Sequence, residues 1–381
     1  MMKNKIYVLF LILIIFLAGC SESTIEYEPV LEEKKPQEQI ISICAFGDNL
    51  LHMPVVRSGK KDDGTYDFSH LFKELQPHIK NTDIAVIGQE TIFGGDSLGF
   101  SGFPLFNSPS DMGKTLVNEG FDIVLHASNH AMDKGEKGIL NTVNFWKNYP
   151  EVTMLGIHES SEDREARTVV IKEIKGAKVA FLNYTYGTNG IPVPKGKDYL
   201  VNVINEEKIS KDLTYAEENS DFTIAFMHWG TEYSTIADAS QKILAKKMCE
   251  WGADLIIGAH PHVVEPVEWV KGDNGNLSLV YYSLGNFVSR QKEAKNLLGG
   301  MASVKIKFDG ENAEIDDYEF IPLVTHYNMS STKFTVYPLN KYTDELAASH
   351  GVSRYDRKVS VEYYSDLFSK ITGINLLKKV N

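Results

Sequence analysis

Cysteine is scarce in this 381-residue chain, which carries three, at positions 20, 44 and 249. No two of them form a CxxC pair, which excludes the common zinc-ribbon and dithiol-redox patterns. Cys44 and Cys249 fall in an expected strand and an expected helix. A cysteine buried in a core element acts as a small apolar residue, so no disulfide is expected. Long basic stretches are also missing. The formal net charge is −12, and with no basic block to follow a phosphate backbone, nucleic-acid binding is not expected. Neither a P-loop nor a GxGxxG follows any expected strand, which argues against nucleotide-driven ligation. No apolar run reaches the roughly 20 residues that cross a bilayer, and no tandem repeat is visible.

The strongest local pattern is at the N-terminus. Lys3 and Lys5 precede an unbroken apolar run from Ile6 to Leu17, short for a membrane span and suited to a signal peptide. Leu17-Ala18-Gly19-Cys20 reads as a bacterial lipobox. Residues 1–19 are then a lipoprotein signal peptide and Cys20 the acylated first residue. The expectation is an extracytoplasmic protein, lipid-anchored at the cell membrane; an uncleaved signal anchor is the alternative. Residues 20–38 are polar, charged and interrupted by Pro29 and Pro36, as in a solvated tether.

From Gln39 the pattern alternates between short apolar runs and amphipathic stretches. Strands are expected at 40–46, 83–88, 122–126, 152–155, 222–227, 255–258 and 277–283. A hairpin is expected at 167–174 and 178–185 about Lys175-Gly176, and a late antiparallel pair at 301–308 and 314–321. Helices are expected at 68–79, 111–119, 136–149, 206–218, 239–251 and 360–379. Strand, loop and helix in repetition imply a layered α/β domain over 39–325, with 326–381 as a C-terminal extension packing on it.

Residues able to do chemistry recur just after strands, where α/β sheets collect their ligands. They are Asp48 and His52, then Glu90, then Asn129 and His130. Further along come His228 and Glu232 in HWGTEY, His260 and His262 in GAHPHV, and Asn286 in SLGNF. Imidazoles with carboxylate and amide oxygens, and no thiolate, suit Mn, Fe or Zn. Two such cations roughly 3.5–4 Å apart can share a hydroxide and clamp a phosphoryl displacement. Each motif alone also fits a turn, a cap or a polar loop; the shared placement is what marks them out.

The order FGDNLLH, GQE, SNHAMDKG, MHWGTEY, GAHPHV and SLGNF resembles the CapA family, poly-γ-glutamate capsule synthesis proteins related to calcineurin-like metallophosphoesterases. The resemblance runs from about Ile41 to Pro322. It implies a layered β-sandwich flanked by helices and two divalent metal ions. By the same resemblance Asp48, His52 and His262 hold the first metal, and Asn129, His228 and His260 the second. Glu90 bridges them, His130 serves the leaving group or the transition state, and Glu232 and Asn286 line the pocket. The chain departs from the family at Gly88-Gln89-Glu90, where Asn-Leu-Glu is usual, and at Ser128-Asn129-His130, where Asn-Asn-His is common. The Asp-x-His of ordinary phosphoesterases is also absent, because His52 lies four residues beyond Asp48, not two.

Three readings of function stay open on these grounds. One is a metal-dependent hydrolase acting on a phosphoester or an envelope polymer. The second is a non-catalytic accessory protein that binds an anionic polymer beside membrane-embedded synthase and export subunits. The third is a site that is purely structural.

Overall fold

The structure, a computed structural model, describes residues 38–376. The expected signal peptide, Cys20 and almost all of the tether lie outside the described residues. No helix among the described residues is long and apolar enough to cross a membrane.

Among the described residues, fourteen strands form the frame. In chain order they are β1 (Gln39–Asn49), β2 (Ile84–Gly88), β3 (Ile123–Leu125), β4 (Thr153–Leu155), β5 (Val170–Ile174), β6 (Ala177–Thr185) and β7 (Phe222–His228). They continue with β8 (Leu255–Ala259), β9 (Val267–Lys271), β10 (Leu277–Tyr281), β11 (Asn286–Val288), β12 (Leu298–Phe308), β13 (Ala313–Tyr327) and β14 (Phe334–Pro338). Eight make one sheet in the order β14-β13-β12-β1-β2-β3-β4, with β11 joined to the end of β1. Six make the second, in the order β5-β6-β7-β8-β10-β9. The central runs β1-β2-β3-β4 and β6-β7-β8-β10 are parallel.

Side-chain alternation explains why the two sheets stack. Along β1, Ile41, Ile43 and Ala45 point into the space between the sheets and meet Phe181, Ile224, Phe226 and Ile257. Cys44 and Phe46 point the other way, under helices Asp111–Glu119 and Gly135–Trp146, whose Met112, Leu116, Ile139 and Val143 cover them. On the second sheet Ala180, Leu182, Ala225 and Met227 face helices Glu206–Asn219 and Ala239–Glu250 through Ile209, Leu213, Ala245 and Met248. The result is a helix, sheet, sheet, helix sandwich. Each buried aliphatic or aromatic side chain contributes on the order of 1.5–3 kcal/mol. A one-residue slip would exchange both faces of a strand, so this burial also fixes where each strand ends.

Most expected elements lie within a few residues of their observed bounds, and helix Asp111–Glu119 stops at Gly120 with φ 97°. Four expectations need correcting, the first being the helix expected over 360–379, which runs Val361–Thr372 and ends at Gly373 with φ 74°. The helix expected over 68–79 is broken: a single 3₁₀ turn, Ser69–Leu71, is followed by a separate short helix, Gln76–Lys80. Pro77 has no N–H to give to a preceding turn and sits near the start of that second helix. The strand expected from Arg167 begins at Val170, because Ser160 caps helix Ser161–Arg167 by accepting from the Asp163 N–H. Strands β9 and β14 were not anticipated; β9 is half exposed and lacks a buried face to reveal it. Position 326 falls inside β13, and the residues after it supply β14 and helix Val361–Thr372, whose Tyr364 and Phe368 enter the inter-sheet core.

Candidate metal centre

The parallel strands of both sheets end on the same side, and the chemistry-bearing residues gather there. Close approach of the backbone is needed first. A Cβ on Gly47 would lie 1.9 Å from the Gly285 oxygen, so only glycine lets the end of β1 meet the turn before β11. That contact is sealed by the Asp48 N–H donating to Gly285 O at 3.0 Å, and it leaves the Asp48 carboxylate aimed across the seam between the sheets.

Asp48 Oδ2 accepts the His260 backbone N–H at 2.9 Å and lies 3.7 Å from His262 Nδ1, while Oδ1 is 3.5 Å from His228 Nδ1. Glu90 stands opposite. Its Oε1 is 3.9 Å from His130 Nε2, 3.9 Å from His228 Nε2 and 3.8 Å from His262 Nε2. These distances are too long for hydrogen bonds. Both Glu90 oxygens are fully buried and have no hydrogen-bond partner among the described residues, and neither has the buried Nδ1 of His260. An unpaired buried carboxylate costs several kcal/mol unless a cation answers it. Ligand atoms of Asp48, Glu90 and His262 lie within 4.8 Å of one another.

The protein pre-sets the donors. His260 and His262 flank Pro261 and both take left-handed backbone angles, φ 99° and 57°; each such conformation costs about 1–3 kcal/mol and is tolerated where a function needs the side-chain direction. Asn286 gives its amide N–H groups to His262 O, Gln291 Oε1 and Asn296 O. Its Oδ1 must therefore accept from His262 Nδ1, 3.0 Å away. With the proton on Nδ1, the lone pair of Nε2 faces Glu90. Asn129 Oδ1 is 3.0 Å from His228 Nε2. His130 Nδ1 is 2.7 Å from Asp133 Oδ2, an oxygen also held by the Phe106 N–H at 2.6 Å.

Burial shapes the acid–base state. It raises Asp48 to about 7, against the opposing pull of the His260 N–H. Glu90 is pushed well above the usual carboxylate range by burial, then by the charges of Asp48, Glu232 and Asp133. The imidazoles move the other way. Burial, helped by neighbouring rings, takes His260 to about 4, His262 to about 3 and His228 well below its ordinary value. Neutral imidazoles beside crowded carboxylates, with buried oxygens that none of the described residues satisfies, form a donor set that fits divalent cations.

Of the residues singled out from sequence, seven converge: Asp48, Glu90, Asn129, His130, His228, His260 and His262. Asn286 stands behind His262. Glu232 is exposed, close enough for its charge to act on Glu90. His52 stands apart from the close approaches. Its Nδ1 accepts the Arg290 N–H at 3.2 Å and its ring packs on Phe106, which in turn packs on His130. Two features were missed. Asp133 was legible as the i+3 neighbour of His130, one turn further on. The loop at 186–190 was also passed over, although it follows β6 in the same topological position as every other motif.

Fold and site together define a two-sheet α/β protein with a buried carboxylate–imidazole centre suited to divalent metal. The chain belongs to the bacterial capsule synthesis protein family PGA_cap, which matches residues 42–291. Among relatives, it is 26% identical over 274 residues to the capsule biosynthesis protein CapA of Bacillus anthracis, covering 69% of this chain and 63% of that one. It is 27% identical over 242 residues to the PGA biosynthesis protein CapA of Bacillus subtilis (strain 168), covering 60% and 59%. The chain thus spans about three fifths of the length of these relatives. Similar solved structures include a 5'-nucleotidase precursor from Thermus thermophilus, with TM-score 0.47, 14% identity and coverage of 75% and 54%. Another is the calcineurin-like phosphoesterase YfkN from Bacillus subtilis, with TM-score 0.44, 15% identity and coverage of 75% and 90%.

Proposed function

We propose that this chain is an extracytoplasmic protein, lipid-anchored at Cys20, that holds two divalent metal ions and acts as a phosphoesterase-like hydrolase in the making or export of poly-γ-glutamate capsule or another envelope polymer. The observation that carries the reading is the Glu90 carboxylate, buried without a hydrogen bond and ringed by three imidazole Nε2 atoms at 3.8–3.9 Å. Asp48 and His262 are assigned to the first metal, Asn129, His228 and His260 to the second, and Glu90 to both. His52 is expected to join the first only if its ring releases Arg290.

When bound, such metals polarise a phosphoryl oxygen and lower the pKa of water. The chain's own groups do the rest. His130, steadied by Asp133, presents Nε2 to the leaving group and gives or takes its proton. Phe106 packs edge-on against that ring at 4.7 Å and keeps it upright. Glu232 and the half-exposed Tyr186 and Tyr233 stand at the mouth, where substrate enters. Anionic substrates, phosphoester or polymer, fit this reading because the metals would supply the positive charge that an acidic chain lacks.

Elemental analysis of the purified protein beside a Glu90→Gln/His262→Ala variant tests it. About two metals per chain, lost in the variant, supports the reading. If reconstitution with Mn, Fe and Zn leaves the wild type empty, the hydrolase fails. A polymer-binding accessory protein, working beside membrane synthase and export subunits, then becomes the better account. The two tyrosines exposed against His260 and His262 favour that second reading; binding of poly-γ-glutamate that survives removal of the ligands would establish it. Replacement of Cys20 by Ser should move the protein out of the membrane fraction if the anchor is real.

A further inference from the structure

The loop after β6, residues 186–190, lies against three of the assigned residues at once. Tyr186 packs at a tilt against the His260 ring, with centroids 4.5 Å apart. Asn189 Oδ1 accepts from Asn129 Nδ2 at 3.1 Å and from the Tyr186 hydroxyl at 3.2 Å. Asn189 Nδ2 lies 3.4 and 3.5 Å from the two ring nitrogens of His130. The loop tip is exposed, and Asn189 takes a left-handed φ of 50°.

We propose that Asn189 is a positioning residue for Asn129, and that the loop at 186–190 thereby sets the affinity of the second metal. An amide has two dissimilar ends, and only its oxygen can ligate a cation. The Asn129 side chain could turn either end toward His228. Asn189 removes the ambiguity: its oxygen takes the Asn129 N–H, so Asn129 Oδ1 is left facing His228 Nε2. The Tyr186 hydroxyl shares the same acceptor and holds the Asn189 amide in that sense. Tyr186 also rests on His260, so one short loop braces two assigned ligands of the same metal. The bland account is that Asn189 is there because asparagine tolerates a left-handed turn. That account leaves the amide contacts as accidents, and glycine separates the two.

The inference rests on the dinuclear reading and is tested apart from catalysis. Mn²⁺ is titrated by calorimetry into the metal-free full chain, as wild type, Asn189→Gly, Asn189→Asp and Asn129→Ala. Asn189→Gly keeps the turn and deletes the amide. It should leave the first site unchanged and weaken the second by roughly 10–100-fold, the usual cost of losing a group that orients a ligand. Asn189→Asp keeps the acceptor and should bind both ions within a few-fold of wild type. Wild-type binding by Asn189→Gly, or equal weakening at both sites, overturns the role. If Asn129→Ala itself binds two ions normally, Asn129 is no ligand; the dinuclear assignment fails, and the inference falls with it for that separate reason.

Discussion

The two sheets bring different chemistry to the seam. The eight-stranded sheet supplies oxygen: Asp48 from β1, Glu90 after β2, Asn129 after β3 and Asn286 from β11. The six-stranded sheet supplies the nitrogen ligands assigned above: His228 at the end of β7, and His260 and His262 after β8; His130, after β3, is the one imidazole of the group on the oxygen side. Neither side is complete alone. The oxygen side, left to itself, is a pair of buried carboxylates driven toward the neutral acid. The nitrogen side is a cluster of imidazoles already stripped of their protons. A divalent cation would satisfy both, and on the proposed reading the centre would then also clamp the two sheets together.

The sharpest way to break this comparison is to neutralise one side. Glu90→Gln removes the carboxylate that faces His130, His228 and His262 together. It should cut bound metal from about two per chain to below one and abolish metal-dependent turnover, read by elemental analysis and a phosphoester assay. His228→Ala, on the nitrogen side, should lose a single ion. Loss of only one ion in both variants would mean that Glu90 does not bridge. Next in size, His130→Ala should lower turnover by about 10²–10⁴-fold with metal content intact, the range for a lost general acid or base. Asp133→Asn should show a smaller part of the same loss, because it disturbs only the anchored nitrogen. Equal turnover in wild type and His130→Ala would remove His130 from the chemistry.

The clamp predicts a stability effect. Metal at a hundredfold excess over its dissociation constant stabilises by about 2.7 kcal/mol. Chelation should therefore lower the melting temperature by roughly 4 °C for each ion lost, since at about 2.1 cal/mol/K per residue 1 kcal/mol is worth about 1.4 °C in a domain the size of residues 38–376. No shift on adding EDTA would separate the metal from the packing of the sheets.

The smallest effect is the most discriminating. Asp48 in the metal-free protein keeps its proton up to about pH 7, so metal must displace it at lower pH. His260 and His262 titrate near 4 and 3 and have no proton to give up above about pH 5. Apparent affinity should thus fall by at least about tenfold per pH unit below about 7, where the Asp48 proton is displaced, and Glu90, held well above the usual carboxylate range, should carry the dependence further up. Glu90→Gln should flatten the slope at any site that survives, whereas His262→Ala should weaken binding without changing it. An unchanged slope in Glu90→Gln would show that protons leave from elsewhere.

Much of the architecture could be read from local pattern because the parallel strands are short, apolar and punctuated by Gly-Asp, Gly-Gln-Glu and Gly-Ala-His. Where a strand had no buried face, as in β9, or where a proline let a helix restart, as at Pro77, local pattern failed. The grouping of the chemistry-bearing residues was legible for a related reason. Chemistry in such sheets collects at one end of the strands, so residue type plus position after a strand was informative for Asp48, Glu90, Asn129, His228, His260 and His262. The same rule pointed to the loop after β6, but Tyr-Gly-Thr-Asn-Gly looks like an ordinary turn, and nothing in it advertises a contact with Asn129, 60 positions away.

Residue order along the chain is enough to specify which groups end the strands, and so which donor types the centre contains. Their pairing across the seam is not. That Asp48 meets the His260 N–H 212 positions away, that Asn286 sets the proton on His262, and that His52 spends its Nδ1 on Arg290 were decided by folding alone. The physical reason is that hydrogen-bond direction and ring tautomer depend on partners brought close only when the two sheets stack, and no local pattern carries that distance.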